Sequence, residues 1–355
     1  MTHNPVANAL ARFAFMALLA VAAAAAPLVC NAGTGLMQLP ATAQDGPVVV
    51  FYPSATPDAP VQRGPYLLQF AQDAPPARGN GRLVVISHGS GGNAWSNSDL
   101  ARTLVQAGFV VAVPEHREDN ARDPARPGPD SWKQRPAEVS RAIDTVGRHP
   151  VLAGLLSLDR VGMYGMSAGG HTALTLAGGR WSPAQVRRHC EAHIGEDFHS
   201  CVGLATQLQG DALDGLKKTV ALGAIRWKFD DERWYAHQDP RVRAVVAGVP
   251  YAADFDFASL ATPAVPLALV TAAHDAWLVP RFHSDRVLAA CRPRCELLAH
   301  IADGAHGALL SPPPPMDRLG AIAARLLGDP PGFDRAQVAA INARIAGFFQ
   351  RNLLP

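Results

Sequence analysis

Short apolar, β-branched runs recur along the chain and alternate with longer stretches whose apolar residues return every three to four positions. The runs Leu83–Ser87, Val110–Pro114, Arg160–Tyr164, Ala244–Val249, Leu267–Thr271 and Glu296–Ile301 predict central strands. Between and after them, Ser98–Ala107, Pro136–Arg148, Ala168–Ala177, Arg281–Ala290 and Asp334–Asn352 predict helices. In the last of these, Val338, Ile341, Ile345 and Phe348–Phe349 keep the 3.6-residue period. Strands that are apolar throughout must bury both faces, so this alternation specifies an α/β fold, a mostly parallel sheet with helices on both sides. Two earlier runs, from Pro47 to Tyr52 and from Tyr66 to Phe70, predict an antiparallel opening pair.

One segment breaks the rhythm. From Gly178 to about Asp239 the chain runs much longer than a usual connection and carries Trp181, Trp227, Trp234, Tyr235 and two cysteines. It predicts a cap inserted after the helix Ala168–Ala177 of one enlarged α/β domain spanning 33–355. Ser311 and the prolines 312–315 predict a stiff connector to the C-terminal helices.

The N-terminal segment has a different character. Arg12 is its only full charge, and Phe13–Ala26 is an unbroken apolar run, shorter than the ~20 residues a transmembrane helix needs. Cys30-Asn31-Ala32 sets small residues where a signal peptidase cuts, so residues 1–32 predict a leader cleaved after Ala32 and export to the periplasm or beyond. Lipid attachment at Cys30 is the lesser alternative, since Pro27-Leu28-Val29 offers no small residue before it.

Export gives the cysteines their meaning. Cys190, Cys201, Cys291 and Cys295 remain, an even set in an oxidising compartment. Pairing Cys190 with Cys201 and Cys291 with Cys295 closes the shortest loops. A zinc clasp from Cys190, His193, His199 and Cys201 is the alternative, at a spacing that matches no established metal motif. A net charge of +2 with 17% charged residues gives little attraction for nucleic acid or an anionic membrane, which leaves a small molecule as the expected partner.

Gly165-Met166-Ser167-Ala168-Gly169 fits G-x-S-x-G, with a strand before it and a helix after. Such a turn needs small neighbours and lifts the serine hydroxyl above the sheet edge. A serine hydroxyl needs a base, and in a strand–turn–helix of this kind the order is serine, acid, histidine. His306 follows the last strand in a loop of small residues, and Asp275 follows the strand before it. Asp254 and Asp256, one strand earlier, are the alternative acids. Ser87-His88-Gly89-Ser90-Gly91-Gly92 follows the first central strand, so the amides of Ser90 and Ala168 are expected to receive an oxyanion, with His88 structural. That loop lacks the Gly-Lys-Ser/Thr of a phosphate loop. Trp95 and Trp277 flank these segments and are candidates to bind substrate. Glu115-His116-Arg117 either reaches substrate or anchors its loop through a salt bridge.

The segments Ser87–Gly92, Pro114–Arg117 and Gly165–His171, with those of Asp275 and His306, make the chain resemble predicted dienelactone hydrolases and platelet-activating-factor acetylhydrolases, both α/β-hydrolases. The resemblance spans about Val48 to Leu310. It implies hydrolysis of carboxylic esters or lactones through Ser167, His306 and Asp275, with no metal or organic cofactor. Dienelactone hydrolases proper use a cysteine where this chain has Ser167, which favours a general esterase. The acetylhydrolases place their acid after an earlier strand, which keeps Asp254 and Asp256 in play. A serine peptidase would bring a propeller or an amine-binding acidic motif, and neither is present. A non-catalytic binding protein would lack the nucleophile, base or glycine-rich loop, and all three occur.

Overall fold

The computed structural model describes residues 33–355. The predicted leader, its cleavage site and Cys30 lie outside the described residues. Ten strands form one sheet: β1 (Gly33–Leu39), β2 (Val48–Ser54), β3 (Ala59–Arg63), β4 (Tyr66–Gln72), β5 (Leu83–Ser87), β6 (Val110–Pro114), β7 (Val161–Met166), β8 (Val242–Gly248), β9 (Leu267–Ala272) and β10 (Cys295–Ile301). Their order is β10-β9-β8-β7-β5-β6-β2-β1-β4-β3, and the six strands from β10 to β6 are parallel.

The six central strands lie where the apolar runs predict them, within two residues at each end. The two opening strands lie where predicted as well, but they do not pair with each other. β2 pairs antiparallel with β1 on one side and β6 on the other, while β4 pairs antiparallel with β3 and parallel with β1. The missing element is β1, whose sequence Gly-Thr-Gly-Leu-Met-Gln-Leu carries two residues that weaken strand propensity. Gly35 earns its place by contact: a Cβ there would stand 2.0 Å from the ring of Tyr52 across the pair.

The helices are α1 (Ser98–Gln106), α2 (Pro129–Trp132), α3 (Arg135–Arg148), α4 (Ala168–Leu176), α5 (Pro183–His193), α6 (Phe198–Val202), α7 (Asp214–Lys228), α8 (Ser284–Cys291), α9 (Ala321–Leu327) and α10 (Ala336–Leu353). Both faces of the sheet are covered. Val85, Met163, Val245 and Leu269 pack toward α3 and α4, and Val84, Val246 and Val270 toward α1 and α10. Each such side chain, fully buried, contributes about 1.5–3 kcal/mol. The helix predicted over 281–290 is interrupted: a 3₁₀ turn at Pro280–Phe282 ends at His283 (φ −120°, ψ −97°) before α8 begins.

From β5 the chain adds β6 on one side and β7 on the other. This reversal of strand order opens a crevice at the carboxyl ends of β5 and β7. The glycine-rich loop and Ser167 both emerge there, and α5, α6 and α7 lie between α4 and β8 in the chain.

Candidate active site

Ser167 sits at φ 59° and ψ −119°, a left-handed backbone that costs a non-glycine residue about 1–3 kcal/mol. The surroundings over-determine it. Its amide donates to Gly248 O at 3.0 Å, and its carbonyl accepts from His171 N at 3.0 Å and Tyr251 N at 3.2 Å. The flanking glycines have no room for a side chain: a Cβ on Gly165 would stand 1.9 Å from Gly169 O, and one on Gly169 1.9 Å from Ser87 O.

The turn aims Ser167 Oγ at His306 Nε2, 2.9 Å away. His306, buried on the turn after β10, has Nδ1 2.7 Å from Asp275 Oδ2. The other oxygen of Asp275 accepts the amides of Trp277 at 2.9 Å and Leu278 at 2.8 Å, which fixes the carboxylate. A carboxylate only accepts, so Nδ1 of His306 carries the proton and Nε2 presents its lone pair to the serine. The alternative acids lie elsewhere. Asp254 meets His171 Nε2 at 3.0 Å, and Asp256 takes Arg180 Nε at 2.7 Å and caps a 3₁₀ turn.

The glycine-rich loop rides on the serine, for a Cβ on Gly89 would be 3.4 Å from Ser167 Cβ. His88 holds this loop. Its Nε2 accepts the amide of His116 at 3.2 Å, so its proton is on Nδ1, which donates to Gly89 O at 2.8 Å. Gly92 N donates to the same carbonyl at 3.1 Å. In a trans peptide the N–H points opposite the carbonyl, so fixing Gly89 O fixes the direction of the Ser90 amide. The amide of Ala168 opens α4 and has no partner within that helix. Under the loop lies Asp119, whose Oδ1 accepts Ser90 Oγ at 2.6 Å and Gly91 N at 3.1 Å. Its Oδ2 accepts Ser131 Oγ at 2.6 Å and Arg135 Nη2 at 2.8 Å, and Arg135 Nη1 donates to His88 O at 2.6 Å. Burial raises the Asp119 carboxyl, but Arg135 and these hydrogen bonds outweigh it and hold its pKa below the ordinary range.

His116 is an anchor. Its Nδ1 lies 2.6 Å from Glu138 Oε2 and its Nε2 2.7 Å from Ser87 Oγ, in full burial. Glu115 pairs with Arg122, and Arg117 Nη1 donates to Ala43 O at 2.7 Å. Burial pushes the pKa values of His88 and His116 well down, with Arg135 adding to both.

Two cavities meet at Ser167. The inner one, about 230 Å³, lies against the segment 178–239 and is walled by Trp132, Tyr251, Phe229 and Leu278, with His199, Ser200 and Lys228. The outer one, about 470 Å³, runs past His306 to Tyr66, Leu310, Pro314 and Leu319. Ser90 and Trp277 line both, and the Trp277 ring stands 5.2 Å from that of His306. Trp95 lines neither: it packs edge-on against Phe51 at 6.4 Å under the Arg63 guanidinium, because the turn after Asn93 directs it toward β1–β4.

The zinc alternative does not survive. Cys190 is bonded to Cys201, and Cys291 to Cys295, so the sulfurs are not free to bind a metal. His193 turns to Glu196 at 3.4 Å, and His199 spans Gly203 O at 3.0 Å and Arg325 Nη2 at 2.7 Å. A different trio, His189, Asp197 and His283, has its ligand atoms within 4.8 Å of one another. His283 Nδ1 accepts the amide of Ala252 at 3.0 Å, so its Nε2 carries a proton and donates to Asp197 Oδ2 at 2.9 Å. Without a lone pair at Nε2 the trio is a hydrogen-bond knot, not a ligand set. Asp197 Oδ1 also accepts Val279 N at 3.1 Å, which ties the insertion to the loop that carries Asp275.

No family model and no curated protein matches the chain. Among solved structures, a ferulic acid esterase from Streptomyces cinnamoneus superposes with a TM-score of 0.56 at 17% identity, over 93% of this chain and 92% of that one. The chain has the α/β-hydrolase fold. Within this fold, Asp119, Arg135, Tyr251, Phe229 and the prolines near 314 stand at the site without a motif to mark them. Arg135, fully buried, stands just before the predicted helix Pro136–Arg148, where nothing in the sequence marks it.

Proposed function

We propose that the chain is an exported serine esterase that cleaves carboxylic esters through an acyl-enzyme on Ser167. The reading rests on one observation above the others: Ser167 Oγ, His306 and Asp275 form a continuous hydrogen-bonded line at 2.9 and 2.7 Å that opens into both cavities. In it, His306 Nε2 takes the serine proton as Oγ attacks the ester carbonyl, and Asp275 stabilises the imidazolium. The Ser90 and Ala168 amides receive the oxyanion. His306 then passes its proton to the leaving alkoxide, and water repeats the sequence to release the acid. Removing an oxyanion donor in such a site costs about 10²–10³ in rate.

The fold neighbour, a ferulic acid esterase, favours ester cleavage over other serine chemistry. The motifs of Ser167, Asp275 and His306 keep the dienelactone-hydrolase-like group as the finer assignment, within one domain over 33–355 whose residues 178–239 act as its cap. Two bonded cysteine pairs favour an oxidising compartment, and no helix among the described residues is long and apolar enough to cross a membrane. The test is covalent labelling by a fluorophosphonate probe together with p-nitrophenyl ester hydrolysis. Both are expected in the wild type and absent in Ser167→Ala, with a loss on the order of 10⁴-fold or more. A folded wild-type protein that ignores the probe overturns the proposal.

A further inference from the structure

The two cavities at Ser167 are not equivalent, because His306 lines the outer one and not the inner one. An attacked ester carbon carries Oγ, the oxyanion, the acyl chain and the alkoxy group. When the tetrahedral intermediate collapses, the carbon–alkoxy bond breaks and the Nε2 proton of His306 moves to that oxygen. The alkoxy group must therefore lie on the His306 side. Ala168, whose amide faces the oxyanion, lines only the inner cavity. We infer that the inner cavity is the acyl subsite and the outer cavity the alcohol subsite, so that the substrate joins a compact acid to a larger alcohol.

The walls support this division. The inner cavity is bounded by Trp132, Phe229, Tyr251 and Leu278 with His199, Ser200 and Lys228 among them, and its 230 Å³ holds roughly eight water-sized atoms, the size of a benzoyl or hexanoyl group. The outer cavity has twice the volume, and its far wall is the proline connector with Leu319 and Ala323. A third space of about 520 Å³, between α6 and α7, shares Cys201, Val202, Lys228 and Phe229 with the inner cavity. The inner cavity thus ends at a wall of a few side chains with apolar space beyond it, and that wall sets the acyl length.

The inference rests on the esterase reading, and the experiment separates the two. Hydrolysis of p-nitrophenyl esters of graded acyl length, and of benzoates of graded alcohol size, is followed with burst-phase resolution of acylation from deacylation. In the wild type, kcat/KM is expected to fall tenfold or more beyond six to eight acyl carbons. Phe229→Ala, with Val202→Ala as the second variant at the same wall, is expected to move that limit to longer chains and to leave the alcohol profile unchanged. Leu319→Trp is expected to lower acylation by bulky-alcohol esters at least tenfold while leaving deacylation of the same acyl-enzyme within twofold, since the alcohol has then departed. Acyl-enzyme formation with these sensitivities exchanged, or with neither present, overturns the subsite assignment alone. The absence of any acyl-enzyme overturns the esterase reading, and the assignment falls with it.

Discussion

Asp119 and Arg135 face each other in full burial, with Oδ2 2.8 Å from Nη2. Neither side chain touches the proposed triad. Between them they hold Ser90 Oγ, Gly91 N and His88 O, which is most of the loop above Ser167. Removing one partner of a buried pair leaves the other charge uncompensated, at a cost of about 3–5 kcal/mol. Asp119→Asn is therefore expected to lower the unfolding free energy, read from urea unfolding, by that amount. It is also expected to lower kcat by tenfold or more with KM little changed, because the Ser90 amide serves the transition state. An Asp119→Asn enzyme with wild-type kcat would sever this pair from oxyanion binding.

Asp275, Asp254 and Asp256 separate cleanly by partner. Only Asp275 bonds His306, so Asp275→Asn offers an amide where Nδ1–H needs an acceptor and favours the wrong tautomer. In comparable triads that change costs on the order of 10⁴ in kcat. Asp254→Asn removes a carboxylate from the buried His171 and is expected to cost stability, with kcat within threefold. Asp256→Asn, at a half-exposed pair with Arg180, is expected to change both little. Steady-state kinetics on the three variants decide the acid, and a fully active Asp275→Asn would move it.

Much of this was legible in the sequence because the signals were local. G-x-S-x-G demands a tight turn between strand and helix, and the apolar runs of β5 to β10 are the direct imprint of a sheet buried on both faces. Asp275 and His306, which the fold brings into line with Ser167, are candidates legible in the sequence because each follows a strand. The partners of the opening strands are not legible because pairing is non-local: nothing in Tyr66–Phe70 says that its neighbours are β3 and β1 rather than β2. Trp95 was misread because proximity in sequence to the glycine-rich loop says nothing of which way a 3₁₀ turn points its side chain. The Asp119–Arg135 pair was invisible, since burial of a charge is a property of the assembled layers.

The buried histidines make stability depend on pH. Burial lowers the pKa values of His88 and His116 well below the ordinary histidine value, so the unfolded chain binds protons that the fold refuses. Stability is then complete above about pH 6.5 and is lost as pH falls below it, by about 1.4 kcal/mol per pH unit for each histidine. Glu138, which faces His116, acts in the opposite sense, since burial raises its pKa and the fold takes up a proton before the unfolded chain does. His199 and His237, also lowered by burial, add to the fall, so the net slope expected from urea unfolding below pH 6.5 is at least about 1.4 kcal/mol per unit. An unfolding free energy that stays flat from pH 7 to 5 would contradict neutral His88 and His116 in the fold.

Glycine substitutions should act in opposite directions at the turn and on the insertion. Gly165→Ala sets a Cβ 1.9 Å from the main-chain oxygen of Gly169, where no side-chain rotation gives relief, so the turn carrying Ser167 must shift. Loss of both activity and cooperative thermal unfolding is expected. Gly223, in the middle of α7, is exposed, has nothing within 4 Å of a Cβ, and lacks the left-handed backbone that would penalise alanine. Replacing glycine by alanine in such a helix interior contributes about 0.5–1 kcal/mol. Gly223→Ala is therefore expected to raise the melting temperature of the insertion or of the whole chain by a few degrees with kcat unchanged. Scanning calorimetry of the two variants beside the wild type checks both, and a stable, active Gly165→Ala protein would mean that the serine turn is looser than its contacts indicate.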